Sequence, residues 1–337
     1  MVNSIQDKVC RHIAFISDDN YILPTCVAIK SLVLNVSSDD VHYYKIHIFS
    51  FSLMEESRQK LRSMASENSE VLIHCIEKNT YKKLLDSINQ NTHVTPTALL
   101  KFELCNLLPE VEELLYLDGD IIINGNITDI FDYDISDYLL AASFEFWTYL
   151  SKLYQFNNDD EIPDFSFNSG VMLLNLKRFR ELKIDKKLWE VKFEQCNQKD
   201  KKENMMDQDT FNIVCASKCL HLPIRFNCNN QFTDGVSIEL INKAYGTYYE
   251  NATDLLNDAV IIHYVGKKDK PWLYQGMRCQ KIWDEYCEKA GIEIRSLNRK
   301  KFKKTFLYYI SRLRRSLEVR GVRKSILYLF SKREIKL

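Results

Sequence analysis

The sequence predicts an α/β fold in which a parallel sheet carries helices on both faces. Short apolar segments of strand length alternate with segments of helical spacing, which is the pattern of strand–helix–strand units. Of the 337 residues, 45% are hydrophobic and only 9 are Gly and 6 are Pro, so the chain can bury a substantial core. This length suits one large domain, or a domain with an appendage.

The first unit places polar residues at the end of a strand. A strand is predicted over residues 11–16, a polar loop over 17–21 and a helix over 22–33. The loop follows the carboxyl end of the strand, where open α/β sheets bind ligands. Asp18 and Asn20 are therefore candidates to hold a ribose or a base. The alternative is that they cap the helix.

The later elements are predicted from apolar clusters and helical spacing. Further strands are predicted at residues 45–51, 71–76, 114–117, 121–124, 138–143, 167–176 and 259–264. Helices are predicted at residues 54–64, 81–88, 96–107 and 177–198, and from residue 207 onward. Residues 144–160 are aromatic and then polar, which indicates a mobile or acceptor-facing loop.

Two carboxylates interrupt an otherwise apolar stretch of the chain. Asp118 and Asp120 directly follow one strand-like run and directly precede another. In an extended backbone, residues two apart point to the same side, and buried carboxylates need a compensating charge. Mg²⁺ and Mn²⁺ prefer oxygen ligands, and substrate phosphates commonly complete their coordination. The pattern indicates a metal–diphosphate site, with a hairpin turn at Asp-Gly as the alternative.

A histidine and several basic residues follow the last predicted strand. His263 ends that strand, and Gly266 and Lys270 come shortly after it, beside further lysines. A histidine at a strand end next to lysines suits a metal ligand combined with a phosphate clamp. The alternative is a strand-end histidine beside a solvated basic turn.

The charge of the chain is asymmetric, although its formal net charge is zero. Residues 299–337 hold 14 Lys and Arg but only 2 Asp and Glu, so an acidic body carries a basic tail. Apolar residues at helical spacing alternate with these charges, which predicts amphipathic helices that dock on an anionic membrane surface. The alternative is that the tail packs against the body. Nucleic acid is not expected as a partner, because the body is acidic and lacks a binding motif.

The sequence also carries signals about cellular location. No basic segment followed by an apolar one stands at the start, and no apolar run reaches the roughly 18–20 residues that span a bilayer. The 10 cysteines are scattered without a CxxC pair, which favours free thiols in a reducing compartment. We therefore expect a cytoplasmic protein that is peripheral on the inner face of the cell membrane.

Five motifs in this order resemble those of the family 8 glycosyltransferases, which are retaining nucleotide-sugar transferases with the GT-A fold. The motifs are Ser17-Asp18-Asp19-Asn20-Tyr21, Leu115-Tyr116-Leu117-Asp118-Gly119-Asp120, Phe167-Asn168-Ser169-Gly170-Val171, Asp207-Gln208-Asp209, and His263-Tyr264-Val265-Gly266 with Lys270-Pro271-Trp272. The resemblance covers roughly residues 11–280 and is closest to bacterial lipooligosaccharide and lipopolysaccharide galactosyl- and glucosyltransferases. It implies a Rossmann-like mixed sheet flanked by helices, in a catalytic domain at 1–285 with a basic helical extension at 286–337.

The resemblance also implies roles for individual residues. The ligands of Mn²⁺, or of Mg²⁺, would be Asp118, Asp120 and His263. The uridine and ribose would contact Asp18 and Asn20, and the diphosphate would contact Gly266 and Lys270. The donor sugar would meet Asn168, Asp207 and Gln208. Of these, Gln208 would lie near the anomeric carbon, and Asp207 is the second catalytic candidate.

One position departs from the family pattern. Many members carry an arginine, before the Asp-x-Asp motif, that helps to position the donor. Leu99 is predicted to occupy the place of that arginine. Lys101 is not expected to substitute, because an ammonium group is a point charge and not a bidentate fork. This departure bears on which sugar is transferred.

The expected reaction transfers a hexose, galactose or glucose, from a UDP-sugar to a glycan or glycolipid acceptor in surface-glycan synthesis. No carboxylate is compellingly placed as a nucleophile, so we favour a front-face mechanism in which the departing phosphate helps to deprotonate the acceptor. Two alternatives belong to other classes. One is a metal-dependent nucleotide-sugar hydrolase that uses the same carboxylates, and the other is a non-enzymatic carbohydrate-binding module.

Overall fold

The computed structural model describes residues 8–36, 41–81, 96–146, 166–197, 207–233, 236–266 and 269–301. The strands are β1 (Val9–Ile16), β2 (His42–Ser50), β3 (Ser69–Cys75), β4 (Glu113–Leu117), β5 (Ile121–Ile123), β6 (Leu140–Phe144), β7 (Phe167–Asn175), β8 (Cys219–Leu222), β9 (Cys228–Asn229), β10 (Ile261–His263), β11 (Tyr274–Gln275) and β12 (Lys300–Lys301). The α-helices are α1 (Ile22–Asn35), α2 (Glu55–Arg62), α3 (Leu104–Leu107), α4 (Leu176–Glu181), α5 (Ile184–Asn197), α6 (Asp207–Cys215), α7 (Ile238–Tyr245), α8 (Ala252–Asp258) and α9 (Gln280–Lys289).

The main sheet has seven strands in the order β3-β2-β1-β4-β7-β6-β8. Neighbouring strands are parallel except at β7, which is antiparallel to both β4 and β6. The sheet is therefore mixed, as the family resemblance implies, whereas the strand–helix alternation alone predicts a parallel sheet and fails at this strand. A parallel pair needs a crossover, usually a helix, and the sequence predicts none between β6 and β7.

The reversal of β7 positions the site. In a parallel sheet the end of β7 would lie at the same edge as the end of β4. Because β7 is antiparallel, its beginning lies there instead. Leu117 pairs with Val171, and the Asp118 amide donates to the carbonyl of Gly170 at 2.8 Å. The residues that open β7, including Asn168, therefore lie beside the Asp-Gly-Asp motif.

A smaller sheet, in the order β5-β10-β9, continues from the Asp-Gly-Asp motif. Its β10 is antiparallel to β5, with His263 opposite Ile121. The amide of Tyr264 also donates to the carbonyl of Asp120 at 2.9 Å. Strands β4 and β5 belong to different sheets, so the motif is not a hairpin turn and that alternative is wrong. It instead joins the two sheets, which places His263 next to the carboxylates.

Apolar cores cover both faces of the main sheet. In β4, Leu115 and Leu117 pack in one core with residues of α1, whereas Leu114 and Tyr116 pack in the other. Successive strand side chains point to opposite faces, so a strand buried on both sides must be apolar throughout. Burying one leucine is worth about 1.5–3 kcal/mol. The carboxylates at the end of β4 are therefore held against a rigid and strongly apolar support.

Two predicted helices differ in detail from the structure. The predicted helix at 96–107 is a 3₁₀ segment over Pro96–Glu103 followed by one α-helical turn, α3. The predicted helix at 177–198 is divided into α4 and α5, and Lys183 between them has a positive φ of 52°. The left-handed region ends an α-helix, so the two helices take different directions.

The carboxyl-terminal part of the described chain packs on the body. In α9, the side chains of Trp283, Tyr286 and Cys287 are buried in the same core as α1. The expected boundary between residues 285 and 286 lies within this helix. The predicted helices of the tail at 302–337, residues 82–88 and the loop at 147–160 lie outside the described residues. In the part of the chain that the structure describes, every helix is too short or too polar to cross a bilayer.

Candidate functional site

Three groups that can bind a metal converge where the two sheets meet. Asp118 and Asp120 lie between β4 and β5, and His263 ends β10. One ligand atom from each lies within 4.8 Å of the other two. The Nε2 atom of His263 is 3.3 Å from Asp120 Oδ1 and 3.9 Å from Asp118 Oδ2. Two carboxylate oxygens and an imidazole nitrogen suit Mn²⁺ or Mg²⁺, with coordination positions left for phosphate oxygens.

Glycines make this convergence possible. A Cβ atom on Gly170 would overlap Cε1 of His263 and would lie 2.9 Å from Asp118 Oδ2. A Cβ atom on Gly119 would lie 2.6 Å from Thr25 Oγ1. Any side chain at Gly170 would therefore displace two of the three candidate ligands. The Asn-Ser-Gly motif at the start of β7 leaves the space that these ligands need.

Lys101 joins Asp118, one of the three candidate metal ligands, to Asp207. Its Nζ atom lies 2.5 Å from Asp207 Oδ2 and 3.1 Å from Asp118 Oδ1, and its side chain is only 5% exposed. Burial lowers the pKa of this lysine, but Asp118 and Asp207 raise it by more, so the ammonium remains charged. Asp118 Oδ1 also accepts a hydrogen bond from the hydroxyl of Tyr116 at 2.7 Å. These contacts leave Oδ2 of Asp118 for a cation.

The prediction for Leu99 is wrong, because this side chain is buried in the apolar core and not at the site. Lys101 is the basic residue that this segment presents to the carboxylates. The segment is 3₁₀ rather than α-helical, and the two helix types point side chains in different directions at the same spacing. Position along the sequence therefore did not reveal which residue faces the site.

Asp120 is held in the same way by another lysine. Lys270 Nζ donates to Asp120 Oδ2 and, at 2.6 Å, to the carbonyl of Tyr264. The hydroxyl of Tyr21 donates to the same carboxylate oxygen at 3.3 Å. Burial raises the pKa of Asp120, but Lys270 and His263 lower it by more, so the net shift is well below the usual value. Asp120 is therefore ionised and presents Oδ1 towards His263.

Asn168 and Gln208 form an amide network beside the carboxylates. Asn168 Nδ2 donates to Gln208 Oε1 at 3.1 Å and to Glu145 Oε2 at 3.0 Å. Gln208 Nε2 donates to the same oxygen of Glu145 at 3.3 Å. The sequence analysis did not identify Glu145 as a site residue. Its signal was available, because Glu145 follows the carboxyl end of β6 just as Asp118 follows β4.

The remaining predicted residues lie around this centre. Asp207 begins α6 and is buried, and its carboxylate also accepts from Ser169 Oγ at 3.4 Å. Asp18 caps the short 3₁₀ turn Asp19–Tyr21 by accepting from the amide of Asn20, whereas helix α1 begins without a side-chain cap. The side chain of Asn20 is exposed. Gly266 has a φ of +91°, a region that side chains other than glycine rarely adopt.

The structure thus brings most of the predicted residues together. Direct contacts join Asp118, Asp120, His263 and Lys270, and hydrogen bonds and ion pairs connect them to Asn168, Asp207 and Gln208. The loop of Asp18 and Asn20 reaches the centre through the neighbouring Tyr21.

The sequence profile of glycosyl transferase family 8 matches residues 12–276, which is most of the chain. The chain belongs to glycosyl transferase family 8. As a family 8 glycosyltransferase it is an enzyme, and this agrees with the resemblance of its five motifs. The matched segment contains every predicted site residue.

Two relatives of this family 8 glycosyltransferase come from bacteria. It is 26% identical over 284 residues to a lipopolysaccharide 1,2-glucosyltransferase of Escherichia coli K12, covering 83% of this chain and 79% of the relative. It is 24% identical over 272 residues to a lipopolysaccharide 1,3-galactosyltransferase of Salmonella typhimurium LT2, covering 77% and 72%.

A solved structure extends the comparison to the fold. The crystal structure of the galactosyltransferase LgtC, in complex with donor and acceptor sugar analogues, matches with a TM-score of 0.62 and 21% identity. The match covers 87% of this chain and 98% of that one. The mixed sheet flanked by helices is therefore a GT-A fold, as the sequence predicted.

Proposed function

We propose that this glycosyltransferase is metal-dependent and moves a hexose, galactose or glucose, from a UDP-sugar to a glycan acceptor with retention. The observation that carries the proposal is the convergence of Asp118, Asp120 and His263 beside the amides of Asn168 and Gln208. A cation site and a polar sugar pocket are the two parts that such a donor needs. The names of the relatives support surface-glycan synthesis, such as that of lipopolysaccharide or lipooligosaccharide.

The donor set supports Mn²⁺ as the cofactor, with Mg²⁺ as a substitute. Asp118 Oδ2, Asp120 Oδ1 and His263 Nε2 would hold the cation. A divalent cation in this position offsets the negative charge that builds on the departing diphosphate. Imidazole as one of three protein ligands favours Mn²⁺, since Mg²⁺ prefers oxygen ligands and strict octahedral geometry.

Lys270 and Gly266 would contact the diphosphate on the side of Asp120. Lys270 is buried and in this structure forms an ion pair with Asp120. An ammonium that already lies at the carboxylate is positioned to add positive charge where the leaving group develops negative charge. Asp18 and Asn20, on the loop that Tyr21 anchors to Asp120, would hold the uridine and ribose.

The donor sugar would lie against Asn168, Asp207 and Gln208, with Gln208 nearest the anomeric carbon. Lys101 and Ser169 both contact Oδ2 of Asp207, and the ion pair with Lys101 makes this carboxylate a weaker nucleophile. Its proposed catalytic role is electrostatic: with Lys101 it sets the charge around the anomeric carbon. This arrangement supports the front-face mechanism, in which the departing phosphate takes the proton of the acceptor hydroxyl. A trapped glycosyl adduct on Asp207 would overturn that mechanism.

The basic tail supports a peripheral location on the cytoplasmic face of the membrane, near a lipid-linked acceptor. Its 14 basic residues would bind the anionic headgroups. We expect the full chain to float with vesicles that contain anionic lipid, and a chain without residues 299–337 not to float. Flotation that is unchanged by the deletion would contradict membrane docking by the tail.

A screen of UDP-sugars with a UDP-release readout tests the function. Each sugar is incubated with and without Mn²⁺, and with and without truncated lipooligosaccharide acceptors. We expect release from UDP-galactose or UDP-glucose that requires Mn²⁺ and increases with acceptor. Release at the same rate with or without acceptor would instead indicate a nucleotide-sugar hydrolase. No release under any condition would leave only a carbohydrate-binding role.

A further inference from the structure

One hydrogen-bond chain connects the metal site to the sugar pocket. His263 Nδ1 and Asn227 Oδ1 are 2.9 Å apart, on the opposite side of the imidazole from the carboxylates. Asn227 Nδ2 donates to Asn168 Oδ1 at 3.0 Å. Both His263 and Asn227 are buried, at 3% and 6% exposure. The sequence analysis did not single out Asn227, which lies just before β9 outside every recognised motif.

Groups that can only donate or only accept fix the direction of this chain. The backbone amide of Gly170 donates to Asn168 Oδ1 at 3.0 Å, so this atom must be an oxygen. The carboxylate of Glu145 accepts from Asn168 Nδ2 at the other end, so that atom must be a nitrogen. The orientation of the Asn168 amide is therefore determined by both of its neighbours.

The orientation of the Asn168 amide determines, through Asn227, which ring nitrogen of His263 carries the proton. Because Asn168 presents an oxygen, Asn227 must face it with Nδ2, which leaves Asn227 Oδ1 facing His263. An oxygen acceptor requires that His263 Nδ1 carries the proton. The lone pair of neutral His263 then lies on Nε2, the atom that faces Asp118 and Asp120.

Without this bond, the neighbouring carboxylate would favour the wrong tautomer. Asp120 Oδ1 lies 3.3 Å from His263 Nε2 and would accept a proton carried there. An Nε2–H imidazole cannot bind a metal through that atom. Asn227 therefore opposes the preference that Asp120 alone would impose. Hydrogen bonds from a second residue to a metal-bound histidine commonly have this effect.

We propose that Asn227 is a positioning residue that holds His263 in its metal-binding tautomer and joins it to the sugar-binding amide of Asn168. The proposal rests on the proposed function, since it assumes that His263 binds a divalent cation. The two polar atoms of the Asn227 side chain have different roles. The Oδ1 atom of Asn227 serves the metal site, and its Nδ2 atom serves the sugar pocket.

Two substitutions separate these two roles. Asn227→Leu keeps the approximate size of the side chain but removes both polar atoms. Asn227→Asp keeps an oxygen for His263 Nδ1 but replaces the donor to Asn168 with an acceptor. The first change is expected to weaken Mn²⁺ binding about 10–100-fold, as loss of such partners commonly does. The second is expected to leave Mn²⁺ affinity within about threefold, since the oxygen partner is retained, while turnover of the UDP-sugar falls.

The tautomer is measured directly by long-range ¹H–¹⁵N NMR of the metal-free full-length protein, at a pH where His263 carries one ring proton. We expect Nδ1–H in the wild type and in Asn227→Asp, and Nε2–H in Asn227→Leu. Mn²⁺ affinity is measured in parallel, from the electron paramagnetic resonance signal of free Mn²⁺. An Nε2–H wild type, or an Asn227→Leu variant with wild-type tautomer and affinity, would overturn the proposal.

The two measurements distinguish this proposal from the function on which it rests. If the wild type failed to bind Mn²⁺ but showed the Nδ1–H tautomer, the proposed metal dependence would fail while the role of Asn227 on His263 would stand. The wild-type spectrum requires no variant to fold. Asn227→Asp, which preserves the size of the side chain and the oxygen that faces His263, also controls for the change of volume and shape in Asn227→Leu.

Discussion

Two of the polar clusters in the described part of the chain are built in opposite ways. The first, which we call the catalytic cluster after its proposed role, holds lysines and carboxylates around one point, and its members are Lys101, Asp118, Asp120, His263 and Lys270. The second, which we call the histidine ladder, crosses three neighbouring strands in a line, and its members are Cys10, His12, His47 and His74. Both contain buried titratable groups, yet of the two only the first has ligand atoms that converge on one point.

The histidine ladder uses its lone pairs internally. His12 Nδ1 and His47 Nε2 are 3.0 Å apart, and so are His47 Nδ1 and His74 Nε2. Neighbouring rings are close to parallel, with interplanar angles of 16° and 24°. Each nitrogen in these pairs therefore points at another nitrogen. A neutral imidazole has one donor and one acceptor nitrogen, so it can take part in both hydrogen bonds of such a row.

Charge distinguishes the two clusters further. Burial lowers the pKa of His47 to about 3, with help from His12, His74 and Lys45, so the ladder is neutral near pH 7. In the catalytic cluster, Asp120 stays ionised because Lys270 and His263 lower its pKa by more than burial raises it. The difference teaches that a cluster of ligand-type residues is a ligand site only when its lone pairs converge and remain available.

Removing one lysine should break the charge balance of the catalytic cluster. Lys101→Met keeps the length of the side chain but leaves Asp118 and Asp207 without their shared partner. Breaking a buried ion pair in this way costs about 3–5 kcal/mol of stability. Urea unfolding followed by tryptophan fluorescence measures the loss. The double variant Lys101→Met with Asp207→Asn should recover part of it, and a single variant as stable as the wild type would contradict the account.

Filling the space between the ligands should break their convergence. Gly170→Ala places a Cβ atom onto His263 and close to Asp118. We expect Mn²⁺ affinity to fall about 100-fold, at the upper end of what disturbed ligand support commonly costs. The matched control is Gly125→Ala, whose Cβ would meet Val260 at an ordinary 3.6 Å. Equal Mn²⁺ affinity in the two variants would show that the ligands need no glycine beside them.

Acid should destabilise the fold through the histidine ladder. The pKa of His47 is about 3 when folded and about 6.5 when unfolded, so the unfolded state binds more protons between these values. The stability associated with neutral His47 is complete above about pH 6.5 and declines as pH falls. Between neutral pH and about pH 5 the loss is about 2 kcal/mol.

The variant His47→Gln sharpens this prediction, because glutamine keeps a donor and an acceptor but does not titrate. Urea unfolding at a series of pH values should show a shallower acid decline than in the wild type, by up to about one proton. Turnover near neutral pH should be little changed, since the ladder does not contact the catalytic cluster in the described structure. An identical pH dependence of stability in the two proteins would show that His47 is not the source of the acid destabilisation.

The sequence predicted those parts of the site that continue an apolar strand. Asp118, Asp120 and His263 could be predicted from the sequence because each lies at the end of an apolar strand segment, where a carboxylate or histidine is unexpected. The role of Lys101 could not be predicted, because the direction of its side chain depends on a 3₁₀ segment. The apolar periodicity of this segment predicts an α-helix instead. The strand–helix pattern alone also missed the antiparallel course of β7, since strand direction depends on long-range pairing, although the family resemblance implies a mixed sheet.

Residues that act through others were the hardest to predict. Glu145 and Asn227 belong to no motif, and they reach the site only because β6 and β9 lie beside β7 and β10. An asparagine before a short strand has no local feature that marks it as the partner of a histidine 36 positions later. The contact of Asn227 follows from the tertiary structure alone, whereas Glu145 had a local signal in its position after the carboxyl end of β6.

The central claim is that Asp118, Asp120 and His263 form a metal site that binds the diphosphate of a UDP-sugar. Calorimetric titration of UDP into the protein, with and without Mn²⁺, tests it most directly when the wild type is compared with Asp120→Ala. The near-ultraviolet circular dichroism of the variant verifies that it is folded. We predict tight UDP binding that requires Mn²⁺ in the wild type and is abolished in Asp120→Ala. An unchanged Mn²⁺-dependent affinity in a folded Asp120→Ala variant would contradict the account.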